Sequence, residues 1–293
     1  MRKFVLYNAL IALLITFSGC GKQPKASGKT LGAGIPPVAG IVEAVAGKDF
    51  QVVTLLPEGK SPHDYNPDTR SIRELSRAAL FFHCDLPVEE KAAKSLCAPD
   101  RAVNVTKDIQ YLDCEDDDDD HEAHGEEHHH HHDGRDPHVW LNVDNVIIMA
   151  KNIRDVLAEH YPEQKAQFDR NFAAYRQHLL EEKAKMIALT SRSAGKKLFV
   201  YHPAFGYFAK MVDMQQCAVE LEGREPSPRQ LAQVIKKMNS ENAKLFFAQT
   251  GFSPAAAQSL QRQTQVKVVE INVLSRDIVS AMLDICKAIN DYE

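Results

Sequence analysis

The stretch PEQKAQFDRNFAAYRQHLLEEKAKMIALTS, from Pro162 to Ser191, decides how this chain of 293 residues is organised. It has no glycine and no proline after its first residue, and it is rich in strong helix formers. The stretch therefore predicts one helix of about 45 Å, starting after Tyr161 and ending before Gly195. Sustained a/d heptads are absent, which argues against a dimeric coiled coil. We expect a stiff helix that joins two halves of the chain and limits ligand-driven closure.

Strand and helix signals alternate on both sides of this helix. The first half predicts strands at 30–34, 50–56, 79–82 and 102–105, with helices at 38–46, 68–77 and 89–96. The second half predicts strands at 198–201, 217–221, 244–248 and 266–270, with helices at 204–211, 227–238, 254–263 and 278–289. This alternation predicts the α/β class, with two lobes built on mainly parallel four-stranded sheets. The expected divisions are a first lobe at 30–161, a linking helix at 162–193 and a second lobe at 194–293.

The amino-terminal residues read as an export signal. Arg2 and Lys3 precede an apolar run from Phe4 to Phe17 that is too short for a comfortable membrane span. Ser-Gly-Cys then follows, and it resembles the lipobox of bacterial lipoproteins, in which the cysteine is acylated. We expect a signal peptide at 1–19, lipidation at Cys20 and a tether at 20–29. An ordinary secreted protein cut near the same place is the alternative, and either way the chain would lie in the periplasm or at the extracytoplasmic membrane surface.

The segment EDDDDDHEAHGEEHHHHHD, residues 115–133, holds seven of the thirteen histidines and ten of the forty acidic residues. It has almost no apolar side chains and its charges repel, so we expect a disordered loop inside the first lobe. Imidazole is a common ligand for zinc, copper and nickel. A purification tag is disfavoured because the segment is internal and acidic, and a solvated charge run does not account for the histidines. The candidate secondary metal ligands are His121, His124, His128, His129, His130, His131 and His132.

Charge and cysteine content exclude several classes of protein. The formal net charge is −5, and it would be +5 without the ten acids of the loop. No basic stripe with interleaved aromatic residues occurs, so nucleic-acid binding is disfavoured. No CxxC motif occurs either, which argues against zinc-finger and thioredoxin-like proteins. An odd number of cysteines follows Cys20, and their connectivity stays open: Cys84, Cys97, Cys114, Cys217 and Cys286.

Three histidines lie in unusual local settings. His63 occurs in SPHDY, His138 in DPHVWL beside the only tryptophan, and His202 in YHPAFGY. His63 and His202 follow the carboxyl ends of predicted strands, where ligands of open α/β sheets collect. Neighbouring prolines stiffen all three positions, which suits a preformed site. Three neutral imidazoles suit Zn²⁺ well and the harder Mn²⁺ poorly.

These motifs carry a resemblance that spans essentially the whole chain. SPHDYNPD (61–68), DPHVWL (136–141), YHPAFGYF (201–208), EGREPSPRQL (222–231) and FSP after LFFAQTG (245–254) resemble the solute-binding lipoproteins of ABC transporters for zinc and manganese. The acidic histidine loop points to the zinc branch. The resemblance implies that His63, His138 and His202 bind Zn²⁺ in a cleft between the lobes. It also implies a monomeric, non-enzymatic protein that is anchored by lipid and delivers zinc to a permease and its ATPase in the inner membrane.

One departure from the family pattern concerns the fourth ligand. Where the family commonly has an acidic residue before Pro-Leu, this chain reads Glu270-Ile271-Asn272-Val273-Leu274. Asn272 would occupy the carboxylate position, with either its side chain or a water in fourth place. Losing a carboxylate moves the site further from manganese. Gln249 likewise stands where glutamate is frequent.

Several alternatives to zinc transport stay open at this stage. One is a manganese- or iron-binding member of the same family. Another is a zinc hydrolase, because three histidines and an open position also occur in catalytic zinc sites. Against it, the HExxH motif is absent and no convincing general base lies beside the ligands, with Glu222 and Glu270 as the candidates that stay open. A third is a surface metal buffer or cell-adhesion protein in which the loop 115–133 binds the metal. Within a transporter, that loop could gather zinc for the cleft or act as a sensor.

Overall fold

The computed structural model describes residues 29–63, 65–96, 101–113, 134–219, 228–250 and 260–292. Several sequence predictions lie outside these residues, namely the signal peptide 1–19, the lipidation site Cys20, the tether up to residue 28, the loop 115–133 and the candidate base Glu222.

The first lobe carries a four-stranded sheet in the order β2-β1-β3-β4, and its ladders are parallel. Lys29 to Ala33 of the central strand pair with Phe50 to Thr54. Its elements are β1 (Lys29–Ala33), α1 (Pro36–Ala46), β2 (Phe50–Thr54), α2 (Thr69–Leu75), β3 (Phe81–His83), α3 (Pro87–Leu96), β4 (Ala102–Asn104) and α4 (Val143–His160).

The second lobe repeats this architecture with a parallel sheet in the order β6-β5-β7-β8. Residues 260–264 are also helical, and the rest of the helix predicted at 254–263 lies outside the described residues. The predicted α/β fold with two parallel four-stranded sheets is therefore confirmed. The elements of this lobe are β5 (Lys197–Val200), α6 (Gly206–Met211), β6 (Gln215–Ala218), α7 (Pro228–Ser240), β7 (Leu245–Gln249), β8 (Lys267–Ile271) and α8 (Ile278–Tyr292).

The predicted long helix joins the lobes. The α-helical part is α5 (Lys165–Thr190), which spans 26 residues, or about 39 Å. Short 3₁₀ turns at Pro162–Gln164 and Ser191–Ser193 flank it, so the helix beginning at Pro162 starts as a 3₁₀ turn. α5 packs against α1 and α4 of the first lobe and against α8 of the second. Because it packs on both lobes, it braces them.

Helix α4 was not predicted, although its start signal is present in the sequence. The Asn142 side chain accepts hydrogen bonds from the backbone N–H groups of Asp144 and Asn145, which caps the helix. Its buried residues recur at helical spacing and face α1 and α5: Val146, Met149, Ala150, Ile153 and Leu157.

One continuous cluster of buried apolar side chains runs through both lobes. It includes Leu31 of the first sheet, Phe168 and Met186 of α5, and Val200 and Ile285 of the second lobe. Separating the lobes would expose part of this shared core to water, which is unfavourable. The prediction of limited closure therefore has a structural basis beyond the stiffness of α5.

Two further contacts hold the lobes together near the ends of their strands. The Trp140 indole N–H of the first lobe donates to the Val273 carbonyl of the second over 2.8 Å. The Arg276 side chain pairs with Glu43 of α1. These contacts place the loop after β8 directly beside the loop before α4.

The structure shows the state of some of the cysteines whose connectivity the sequence left open. Cys84 and Cys286 are buried free thiols, and burial raises the pKa of Cys286 to about 12. Burial also raises the pKa of Cys84 well above its usual value. Thiols held protonated are poor nucleophiles and poor metal ligands. Cys97 and Cys114 lie outside the described residues.

A buried carboxyl group organises the loop after β3. Glu89 Oε2 accepts the backbone N–H groups of Cys84 and Leu86 at 2.9 and 3.0 Å. Glu89 Oε1 has no hydrogen-bond partner among the described residues and lies against Gly34, where an added Cβ would come within 1.7 Å of it. Burial raises the pKa of Glu89 above its ordinary value. The carboxyl group is thus held in place by these hydrogen bonds, while its burial disfavours the charged form.

We expect Glu89→Gln to become more stable relative to the natural chain as the pH rises above 4.5, the ordinary pKa of a glutamate side chain. Between the unfolded and folded pKa values of Glu89, the folded chain binds more protons than the unfolded chain, so its unfolding free energy falls as the pH rises. Glutamine accepts the same two N–H groups and has no proton to lose. Urea denaturation at several pH values measures the difference. Glu90→Gln, at an exposed position one residue along, should show no such trend.

Candidate metal centre

The structure brings the three singled-out histidines together. His63 lies in the loop after β2, His138 in the loop before α4, and His202 just after β5. One ring nitrogen of each lies within 4.8 Å of the corresponding nitrogens of the other two. The group therefore contains side chains from both lobes, at the boundary between them.

Local turns set the directions of these side chains. The His63 N–H donates to Ser61 Oγ at 3.3 Å. The His138 carbonyl accepts from the Leu141 N–H at 3.2 Å, and the His202 carbonyl accepts from the Ala204 N–H at 2.7 Å. The prolines beside each histidine restrict the backbone further. The three positions are therefore preformed by short-range hydrogen bonds.

Two of the three rings already have the spacing of zinc ligands. His138 Nε2 and His202 Nε2 are 3.2 Å apart, and their ring planes stand at 82°. Ligand nitrogens in a tetrahedral zinc site with bonds of about 2.0–2.1 Å are separated by about 3.3 Å. The His63 ring stands at 70° to the His202 ring, with centroids 5.2 Å apart. The arrangement leaves room for a cation between the three nitrogens.

A carboxylate orients the His138 ring. Asp136 Oδ1 accepts the His138 backbone N–H at 2.9 Å and lies 2.8 Å from His138 Nδ1. A hydrogen bond from Nδ1–H to the carboxylate leaves the lone pair on Nε2, which faces His202. Asp136 belongs to the motif DPHVWL, and its role in orienting His138 was not predicted. An acidic residue two positions before a candidate ligand was the signal available.

Burial divides the site into an inner wall and an outer rim. His138 and His202 are 8% and 5% exposed, and Trp140, at 1%, packs its edge against the His138 ring. His63 is exposed. A metal ion would therefore reach the two buried nitrogens from the side of His63.

Asn272, the residue expected at the fourth ligand position, lies in the loop just after β8. Asn272 is exposed, and its side-chain oxygen accepts the Leu274 N–H at 3.1 Å. Within the described part of the chain, no Asp, Glu or Cys side chain joins the three histidines. The three donors that the described residues bring together are thus imidazole nitrogens.

The remaining described histidines lie apart from this group. His83 is buried at the end of β3 beside Asp85, His160 ends α4, and His178 is exposed on α5. Across the described residues, no helix has the length and apolar character needed to cross a membrane.

The chain is thus a two-lobed α/β protein that is braced by a long helix and has three histidines gathered at the boundary between its lobes. The chain belongs to the family described as ZnuA, zinc-uptake complex component A, periplasmic, whose model matches residues 32–290. Members of this family are substrate-binding components of transport systems.

Individual relatives agree with this assignment. The zinc-binding protein AdcA of Streptococcus pyogenes serotype M3 is 28% identical over 290 residues, which cover 93% of this chain and 56% of the relative. The chain thus spans about half the length of such relatives. The metal ABC transporter substrate-binding lipoprotein SsaB of Streptococcus sanguinis is 24% identical, covering 92% of this chain and 88% of that protein. A crystal structure of ZnuA shares the fold with a TM-score of 0.79, at 24% identity and coverage of 90% and 98%.

Proposed function

We propose that this protein captures Zn²⁺ outside the cytoplasmic membrane and delivers it to an ABC permease. The observation that carries the proposal is the convergence of His63, His138 and His202, with ligand atoms within 4.8 Å of one another. Zinc is the transported substrate in this proposal, and the three imidazoles hold it during transfer.

The donor set favours zinc over manganese. Imidazole nitrogens suit zinc, whereas manganese prefers carboxylate, carbonyl and water oxygens. Asn272 in place of a carboxylate adds no charge, so the fourth position would be taken by a water or by its side-chain oxygen. Protons compete with zinc for the same nitrogens, so affinity should fall as the medium is acidified. A manganese-binding protein would gain little affinity from these nitrogen donors.

Transport explains the site better than hydrolysis or surface buffering. A zinc hydrolase commonly uses a general base beside the metal. Of the described carboxylates, Asp136 is held by His138 and Glu270 is exposed at the end of β8, while Glu222 lies outside the described residues. We therefore propose that the protein is not an enzyme. The loop 115–133 would have a secondary role, because many weak ligands raise the zinc concentration near the cleft.

The proposed location follows from the amino-terminal sequence and from the relatives. Ser18-Gly19-Cys20 would give a lipid anchor, and residues 21–28 would tether the fold to the outer surface of the inner membrane. Both the family description and the SsaB name are consistent with this location. The partners would be a membrane permease and its ATPase, with the protein itself acting as a monomer.

Metal titration of the chain from residue 21 onward, with residues 115–133 replaced by a short Gly-Ser linker, tests the proposal. Competition with a chromophoric chelator should show one tight zinc equivalent and weak manganese binding, because the cleft histidines remain. Loss of tight zinc binding on removing the loop would assign the metal to the loop and overturn the proposal. Manganese binding as tight as zinc would overturn the choice of ion.

A further inference from the structure

Residues 111–113 and 135–136, here called the stem, lie on either side of the segment 114–134. Asp113 pairs with Arg135 in an antiparallel bridge, and the Asp136 N–H donates to the Leu112 carbonyl at 2.8 Å. The Arg135 guanidinium lies 5.1 Å from the centre of the Tyr111 ring. The stem therefore closes a long stretch of chain immediately before His138.

A tyrosine from the other lobe joins both sides of the stem. The Tyr207 hydroxyl accepts the Leu112 N–H at 2.9 Å and donates to the Asp136 carbonyl at 2.9 Å. Tyr207 is buried in α6, and the Asn142 side chain donates to its carbonyl at 3.1 Å. Only a group that both donates and accepts can make the two hydroxyl contacts at once.

The same contacts lead to the metal centre. The carboxylate of Asp136 holds His138, whose Nε2 faces His202. Gly206 leaves space for this carboxylate, since an added Cβ would lie 2.9 Å from Asp136 Oδ2. Tyr207 is only five residues after His202, so one short segment of the second lobe carries both a histidine of the group and the contact that places the other buried histidine.

We propose that Tyr207 is a positioning residue for zinc capture. Its hydroxyl fixes the main chain of Asp136, and through that carboxylate it holds His138 Nε2 at coordination distance from His202. It also keeps this geometry independent of the chain between the two sides of the stem. This inference rests on the proposed function of the histidine group.

Phenylalanine at position 207 is the direct test, because it keeps the ring and removes only the hydroxyl. In the full chain, Tyr207→Phe should weaken zinc binding about tenfold, mainly through faster release, since supporting residues of metal ligands typically contribute 10–100-fold. Tyr161→Phe removes a hydroxyl from a partly buried tyrosine at the start of the long helix and should leave zinc affinity unchanged.

A double-mutant cycle separates positioning from general destabilisation. A short Gly-Ser turn in place of residues 114–133 connects the two sides of the stem directly and holds them close together. Tyr207→Phe should then have a much smaller effect on zinc affinity. Nitrogen-15 NMR of His138 in the metal-free protein should show proton occupancy moving away from Nδ1 in Tyr207→Phe.

The other possible outcomes would overturn either the positioning role of Tyr207 or the proposed function. Equal zinc affinity of Tyr207→Phe and the natural chain would overturn the positioning role while leaving the proposed function intact. An equal loss with and without residues 114–133 and an unchanged His138 spectrum would show a merely structural role. Weak zinc binding by the natural chain would overturn the proposed function itself.

Discussion

Replacing His202 with alanine should lower zinc affinity by more than about a hundredfold. The free energy of zinc binding in four-ligand protein sites is about 10–16 kcal/mol, or about 3 kcal/mol per ligand. His202 also faces His138 at 3.2 Å, so its loss leaves a buried nitrogen without its neighbour. The measurement is chelator competition on protein whose residues 115–133 have been replaced, so that loop histidines do not mask the loss.

His178→Ala is the matched control, because it removes one exposed imidazole from the surface of α5. Its zinc affinity should equal that of the parent protein. Tight binding that survives His202→Ala would show that the three-histidine group is not the zinc site, whatever the loop contributes.

Gly40→Ala should lower the free energy of unfolding by about 1–3 kcal/mol, the usual range for overpacking a tightly packed contact. Gly40 lies in the middle of α1, where replacing glycine with alanine ordinarily stabilises a helix by about 0.5–1 kcal/mol. Here an added Cβ would lie 2.0 Å from the backbone oxygen of Arg276. The steric contact between the lobes therefore reverses the usual sign, which urea denaturation followed by circular dichroism measures.

Ala44→Gly in the same helix isolates the contribution of helix propensity. It should destabilise by about 1 kcal/mol, because glycine loses more conformational freedom. The same experiment then shows loss of stability on adding a methyl group at position 40 and on removing one at position 44. A stabilised Gly40→Ala would mean that α1 and the segment before α8 do not approach as described.

The class of fold was accessible from local sequence patterns. Alternating strand and helix signals and the glycine-free run after Pro162 predicted the two parallel sheets and the long helix, because both reflect short-range periodicity. Element ends were less predictable: α1 begins at Pro36 rather than residue 38, and β6 is Gln215–Ala218 rather than 217–221. Helix α4 has an asparagine cap and a regular apolar face, but both signals follow the atypical segment 115–133 and were not recognised.

The candidate site was likewise predictable from the sequence only in part. Local motifs singled out His63, His138 and His202, since proline-flanked histidines after predicted strands are recognisable one at a time. Their convergence and the Tyr207 contact to both sides of the stem join residues that are far apart in the chain: His63 and His202 are separated by 202 − 63 = 139 positions, and Leu112 and Tyr207 by 95. Such contacts leave no periodic trace in the sequence.

Residue type and spacing alone therefore predicted the α/β class, the two lobes and the three candidate ligands. Tertiary structure decided the order of the strands, the shared core that braces the lobes, and the 3.2 Å approach of two imidazoles from different lobes. The physical reason is the range of the interactions. Helix and strand preferences act over a few residues, whereas a metal site at a lobe boundary exists only once the packing of distant segments has brought its ligands within reach.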